Sequence, residues 1–400
     1  MTQKINNKFK KTEIGEIHEG WEVKQFSEAV SDDMFDIKES EPKSFYKAEG
    51  KYPVIDQGKE LISGYTNDDR KVYKDCLPII VFGDHTRVFK FIDFPFVTGA
   101  DGVKLIKANE NIFIPKFLYY AFTNLNIPNR GYNRHFKILK EQFLACPPKS
   151  EQEKIANLLS RIQGLVENQE KLIERLKELK SSTMSKLFTE GLYNKKRKKT
   201  EIGEIPEDWE VKQLQEVCDT ATGGTPSRSN KEYFKGNIPW VKSGELEDKT
   251  IFDTEEKISE EALNNSSAKI FPKESVLIAL YGATVGKTGF LGIEAATNQA
   301  ICGIFPKDNL ISPKYLQYYL IKNRDLLLRS RYGGAQPNIS QQIIRSFLIA
   351  FPPKSEQEKI AEISDRISKE EEIAQKKLEQ YKELFSAMLN QLMTGKIRLV

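Results

Sequence analysis

The block "PPKSEQEKIA" occupies residues 147–156 and returns letter for letter at 352–361. Outward from these two copies, the whole chain is written twice. "KKTEIGEIHEGWEVKQF" at 10–26 reappears as "KKTEIGEIPEDWEVKQL" at 198–214. The first pair of blocks is offset by 352 − 147 = 205 residues and the second by 198 − 10 = 188, which leaves the second half longer by 17. Between the blocks a skeleton survives. Tyr52-Pro53-Val54-Ile55 lines up with Ile238-Pro239-Trp240-Val241, and "IPKFLYYAF" at 114–122 with "SPKYLQYYL" at 312–320. A period of roughly 200 residues is far beyond a solenoid unit. The pattern is that of a duplicated domain pair.

Each copy has the same anatomy. An α/β region comes first, with β-rich runs such as "PIIVFGDHTRVFKFIDFPFV" (78–97) and "SVLIALY" (275–281). A double proline ends it, and a long helix begins. Ser150 and Glu153, repeated as Ser355 and Glu358, have capping-box spacing. From there to Phe188 no proline intervenes, and Leu158, Leu165, Leu172 and Leu179 recur every seven residues. Ile155, Ile162 and Leu176 hold the neighbouring seam. This is coiled-coil spacing over a helix roughly 58 Å long. In the second helix, from Ser355 to Met393, Ile360, Ile367, Ala374, Tyr381 and Met388 form one seam, while Glu370 and Lys377 interrupt the other. An ordinary amphipathic helix packed on its own domain remains the rival reading, although such helices usually run about 8–20 residues. Two like helices most simply meet across a self-complementary two-fold interface, which makes them antiparallel. The expected fold is therefore a pair of duplicated α/β (α+β) domains joined by two long α-helices in an antiparallel coiled coil, with pseudo-two-fold symmetry. The expected division is 1–148 for the first domain, 149–197 for the first helix and linker, 198–353 for the second domain and 354–400 for the second helix.

Four hundred residues exceed what one core sensibly holds, and 39% hydrophobic with 30% charged residues describes a globular chain. No apolar run approaches the ~18 residues of a membrane span, and "MTQKINNKFKK" lacks the apolar centre of a signal peptide. A cytoplasmic protein is expected. Cys76, Cys146, Cys218 and Cys302 include no C-x-x-C, so neither a zinc site nor a disulfide framework is expected. His18, His85 and His135 are too dispersed for a metal site. A net charge of +4 permits nucleic acid without demanding it.

With these blocks in view, the chain resembles the specificity subunits of type I restriction-modification enzymes over essentially its whole length. "GGTPSR" (223–228), "IPWV" (238–241), "TNQAI" (297–301), "FGDHTR" (82–87) and "TGADG" (98–102) are similar to motifs of that family's target-recognition domains. The resemblance implies two target-recognition domains, each reading one half of a bipartite site in double-stranded DNA. It further implies helices that set the spacer and dock two methyltransferase (modification) subunits, with restriction subunits joining in the full complex. Catalysis, and with it S-adenosylmethionine, ATP and Mg, would belong to those partners, with no cofactor in this chain. The residues agree with a non-catalytic role. Amino-methyltransferases as a class carry Asn/Asp/Ser-Pro-Pro-aromatic, whereas the pairs here are Cys146-Pro147-Pro148-Lys149 and Phe351-Pro352-Pro353-Lys354. A coiled-coil scaffold with protein-binding terminal domains is the alternative from another class.

One stretch tests these readings. "LIALYGATVGKTGFLG" (277–292) ends its loop in Gly286-Lys287-Thr288, as a phosphate-binding loop does. Only three residues separate Gly282 from Gly286, one too few, and Gly289 and Gly292 fall where a helix must start. Aligning Ile79 with Ile278 places "GDHTRVF" in the same slot of the first half. Loops reading two different half-sites are expected to differ in this way. Asp84, His85, Thr86 and Arg87, with Tyr281, Thr284 and Lys287, have side chains suited to base edges or phosphates, against the alternative of a plain β-turn. Further candidates are Asn129, Arg130, Tyr132, Asn133 and Arg134 in "NRGYNRH", and Arg331, Gln336 and Asn338 in "RYGGAQPN". Thr225, Ser227 and Arg228 lie in "GGTPSRSN", whose glycines would let backbone approach phosphate. The basic run 194–199 reads as a solvated linker that attracts backbone phosphate, or as a nuclear-localisation signal.

Overall fold

The computed structural model of the chain describes residues 8–31, 39–99, 102–129, 131, 133–329 and 338–399. Packing divides it into two compact units, residues 1–170 with 376–400, and residues 171–375. Both long helices form, as Lys149–Glu190 and Lys354–Met393, and each unit takes one half of each. The helices start two residues earlier than capping by Ser150 and Ser355 requires. The Gln152 amide donates to Pro148 O and the Gln357 amide to Pro353 O, so each serine lies inside the first turn.

In unit 1 a three-stranded antiparallel sheet has the order Val103–Ile106, Ile79–Gly83, Phe89–Ile92. A four-stranded mixed sheet lies with it in the order Gly64–Thr66, Tyr52–Ile55, Phe96–Thr98, Val72–Tyr73, with the Tyr52 and Phe96 strands parallel. Unit 2 repeats this plan with an additional strand at each edge of the first sheet. Its order is Cys218–Thr222, Ile301–Pro306, Val276–Ala279, Thr288–Leu291, Lys249–Ile251. The four-stranded sheet follows as Glu256–Ile258, Ile238–Val241, Ala295–Thr297, Ile270–Phe271. The "IPKFLYYAF" and "SPKYLQYYL" stretches become helices Pro115–Thr123 and Pro313–Lys322, each started by a proline whose missing N–H costs a first turn nothing.

The invariant decapeptide explains itself here. Gln152 is fully buried; its Oε1 accepts from the Ile114 amide at 2.8 Å, and its Nε2 donates to Pro147 O at 2.9 Å and Ile112 O at 3.0 Å. Gln357 repeats this with the Ser312 amide at 2.8 Å and Pro352 O at 2.9 Å. Glu151 and Glu356 accept the indole N–H of Trp21 and Trp209, at 3.1 and 3.2 Å. Each carboxylate also receives a cation. Arg398 Nε and Nη2 reach Glu151 at 2.6 and 2.8 Å, and Lys195 Nζ lies 3.3 Å from Glu356. The block is thus the weld between a long helix and its α/β domain, and a change at its glutamate or glutamine strands buried polar groups.

Within each unit the two helix halves run antiparallel. In unit 1, Glu151 pairs with Arg398 and Glu170 with Lys382; in unit 2, Glu356 meets the Leu192 amide and Lys180 pairs with Glu371. The seam differs from the expected one. Ile155, Leu159, Ile162, Gln169 and Ile173 are buried, with Val166, Leu176 and Lys180 half-buried between and beyond them. Leu158 is half-buried, whereas Leu165, Leu172 and Leu179 are 44–51% exposed. On the second helix Ile360, Ala374, Leu378 and Leu389 are buried, and Ile367, Tyr381 and Met388 half-buried. The leucine heptad is real, but it flanks the packed stripe.

Candidate nucleic-acid interface

The loop 84–88 closes the hairpin between Ile79–Gly83 and Phe89–Ile92. Asp84 is buried; its amide donates to Gly102 O at 2.7 Å, and its carboxylate accepts the Phe136 amide at 2.7 Å. It orders the loop and does not offer its carboxylate to a cytosine. Arg87 has φ 63°, a left-handed conformation that a non-glycine residue adopts at a cost, and its Nη1 donates to Ile127 O at 2.9 Å. Thr86 Oγ1 donates to Gln57 O at 2.5 Å, and the His85 amide to Gln57 Oε1 at 3.3 Å. Asp84 and Arg87 therefore build the platform, while Thr86 stands exposed and His85 half-exposed upon it.

The loop 280–287 closes the matching hairpin of unit 2, between Val276–Ala279 and Thr288–Leu291. Thr288 opens a strand, and its buried hydroxyl donates to Asp248 Oδ1 at 3.1 Å. A phosphate-loop threonine opens a helix and turns its hydroxyl to a metal; this one does neither. Gly282 (φ 88°) and Gly286 (φ 77°) take the left-handed turn positions that glycine fills without strain. Arg324, which sequence reading missed, clamps the turn: its Nε donates to Gly286 O at 2.9 Å and its Nη2 to Asp248 Oδ1 at 2.5 Å. Thr284 Oγ1 donates to Ser243 O at 2.8 Å. Tyr281 is 38% exposed, and Lys287 is half-buried without an ion pair among the described residues.

The two loops share one device. Thr86 and Thr284 each bind the carbonyl of the second residue past a parallel strand, Tyr52–Ile55 or Ile238–Val241. The segments starting at Gln57 and Ser243 thus adjoin the two hairpin loops, a neighbourhood that only strand pairing reveals. Pairing also brings Lys104, opposite Phe82, to this side of unit 1. Lys104 and Lys140 flank the Phe136 ring at 5.8 and 5.5 Å from its centroid, with Arg134 and Lys137 exposed nearby in sequence.

Other candidates divide. Asn129, Asn133 and Arg134 are exposed, with Asn129 Oδ1 accepting the Gly131 amide; Asn338 is exposed. Arg130, Tyr132, Arg331 and Gln336 lie outside the described residues. Thr225 is bonded to Gln299, and Ser227 Oγ lies 2.8 Å from Ser229 Oγ. Arg228 lies over Phe234 and Trp240, 4.2 and 5.1 Å from their centroids, and is ion-paired to Glu256 at 2.5 Å. Gly223 and Gly224 are buried, and a Cβ on either would collide with Thr297 or Ser267 backbone, so they serve close packing and not phosphate approach. Two of the five cations in the basic run are spent on local carboxylates. Lys195 pairs with Asp208 and Glu356, and Arg197 with Glu190 and Glu204, at the start of strand Arg197–Thr200.

Comparison with known proteins places this arrangement. Residues 18–178 and 206–383 match the family model described as type I restriction modification DNA specificity domain. The chain is 27% identical over 355 residues to the type I restriction enzyme EcoR124I/EcoR124II specificity subunit of Escherichia coli, covering 83% of this chain and 86% of that one. It is 28% identical over 417 residues to the putative type I restriction enzyme MjaX specificity subunit of Methanocaldococcus jannaschii, covering 98% and 96%. Among solved structures, the type I restriction-modification S subunit from M. genitalium superposes with TM-score 0.66 at 18% identity, over 93% of this chain and 96% of that one. Two matched segments, one in each half of a duplicated chain, make this protein a member of the type I restriction-modification DNA specificity family.

Proposed function

We propose that each unit reads one half of a bipartite site in double-stranded DNA, and that the hairpin loops 84–88 and 280–287 lie at the two reading surfaces. The observation that carries this is the pair of equivalent slots. The same threonine-to-carbonyl bond holds both loops, yet the residues presented differ, as reading two half-sites requires. Lysine and arginine near the loops supply the salt-dependent phosphate term, and exposed polar side chains supply base contacts. As a specificity subunit the chain is the recognition component. S-adenosylmethionine, ATP and Mg act in partner methyltransferase and restriction subunits in the cytoplasm. The exposed apolar helix positions, Leu165 and Leu384 in unit 1 and Leu172, Leu179 and Ile373 in unit 2, suit docking of two methyltransferase subunits.

Exchanging residues 27–146 for another recognition domain tests the reading. Methylome sequencing of cells carrying the exchanged chain with its partners should show one half-site changed and the other kept. A change in both would refute separate readers. Binding that does not fall linearly in log salt would favour the scaffold alternative.

A further inference from the structure

We propose that unit 1 binds a small neutral phenol, in a cavity whose counterpart in unit 2 is filled by the Tyr319 side chain. The duplication supplies the argument. In the equivalent helices Pro115–Thr123 and Pro313–Lys322, Phe117 takes the place of Tyr315 and Ala121 that of Tyr319. The tyrosine between them fixes this register. Tyr120 reaches Ser160 Oγ at 3.0 Å and Tyr318 reaches Asp365 Oδ1 at 3.2 Å. Those partners are 365 − 160 = 205 residues apart, the offset of the invariant decapeptide.

In unit 2 the Tyr319 ring is buried, with the rings of Phe188, Tyr315 and Phe347 at 5.8, 6.1 and 6.4 Å between centroids. Its hydroxyl donates to Leu348 O at 3.4 Å, and that of Tyr315 to Ala350 O at 2.9 Å. Unit 1 withdraws the aromatic rings from three of these points. Ala121 replaces Tyr319, and Gln142 replaces Phe347 at the decapeptide offset. Leu392 replaces Phe188, each lying three residues before the glycine, Gly395 or Gly191, that packs on Trp21 or Trp209. A cavity of about 280 Å³ lies here, and Ala121, Gln142, Phe143, Ala145 and Met393 are among its walls.

The missing hydroxyls also leave acceptors behind. The Phe26 amide donates to Gln142 O, so the alternation of an antiparallel ladder turns the carbonyls of Phe143 and Ala145 away from strand Glu22–Gln25. These are the counterparts of Leu348 O and Ala350 O. Phe117 and Ala121 have no hydroxyl to offer them, and no other described side chain donates to them. A ring carrying one hydroxyl answers both observations: it occupies the volume that Tyr319 fills and donates to Phe143 O. An apolar cavity of about 150 Å³ suffices for benzene, so one substituted ring has room. Glu13 is the one charged residue on the lining among the described residues, which disfavours an acid and suits a neutral donor. This inference is independent of how the chain reads DNA.

Titration calorimetry of the full chain with p-cresol tests the proposal, beside 4-methylanisole, the same ring with its hydroxyl methylated. Saturable one-to-one binding of p-cresol is expected. The ether should bind about tenfold or more weaker, the worth of a hydrogen bond to an otherwise unpaired carbonyl. Ala121→Tyr installs the arrangement already present in unit 2 and should abolish binding, with an unchanged or raised melting temperature showing the variant folded. Ala121→Leu is the smaller filling, and it should weaken p-cresol in a chain that folds even where the larger ring is not accommodated. The proposal is overturned by absence of saturable binding, by equal affinity for the ether, or by p-cresol affinity unchanged in a folded Ala121 variant.

Discussion

Replacing Gln152 by leucine removes the amide while nearly preserving side-chain volume, and the consequence follows from the bonds lost. The Ile114 amide, Pro147 O and Ile112 O all bond this one buried side chain. A stranded buried group costs about 1–3 kcal/mol, and the added apolar burial offsets part of the sum, so a loss of about 3–5 kcal/mol from unit 1 is expected. Gln357→Leu strands two groups, the Ser312 amide and Pro352 O, and should cost unit 2 about 2–4 kcal/mol. Hydrogen exchange read by mass spectrometry separates the two. Gln152→Leu should lower protection in the strands Ile79–Gly83 and Val103–Ile106 far more than in Val276–Ala279 and Ile301–Pro306, and Gln357→Leu the reverse. The reasoning fails if protection in the affected unit drops by less than about fivefold, or if either variant loosens both units equally.

Lys287→Ala should weaken recognition of the second half-site by about 1–3 kcal/mol in a binding titration, while ATP turnover of the DNA-saturated complex stays intact. Matched insertions of one heptad after Glu170 and after Gln375 should leave both half-sites unchanged and lengthen the gap by about three base pairs. Seven residues add about 10 Å of helix against ~3.4 Å per base pair, and methylome sequencing reads the outcome. Burial pushes the Cys218 and Cys302 thiols up to about 12. At pH 8 these two should resist alkylation in the native chain and react once it is unfolded. The unfolded thiols ionise near 9 and the folded ones near 12, so unfolding releases protons in that window. The contribution of these two thiols to unit 2 stability is fully present below pH 9 and should be lost as pH rises toward 12, as a denaturation series would show.

The duplication, the two long helices and the unfitness of "GATVGKT" as a phosphate loop were legible because each rests on local pattern: an offset, an absence of breakers, a glycine where a helix must start. The packed helix face was not. Leu165, Leu172 and Leu179 keep the same seven-residue period as the buried stripe, and that stripe includes Gln169 and Lys180. Apolarity therefore pointed to the neighbouring face. Asp84 was legible as a special residue, but not as a buried bridge to Phe136, because the partner is 52 residues away. Gln57, Lys104, Asp248 and Arg324 reach the loops through strand pairing or tertiary contact, which periodicity does not encode.

The division of the helices also sets an order of assembly during synthesis. Unit 2 is one uninterrupted run, 171–375, whereas unit 1 needs residues 376–400 to complete a core that began with Ile17 and Trp21. At ~5–20 residues per second, the ribosome spends roughly 10–40 s on the intervening 205 residues. Throughout that interval Ile155 and Leu159 wait for Leu389, Leu392 and Met393, and Glu151 waits for Arg398. The half encoded first is thus finished last, and nascent chains should expose the unclosed face of unit 1 after unit 2 has folded.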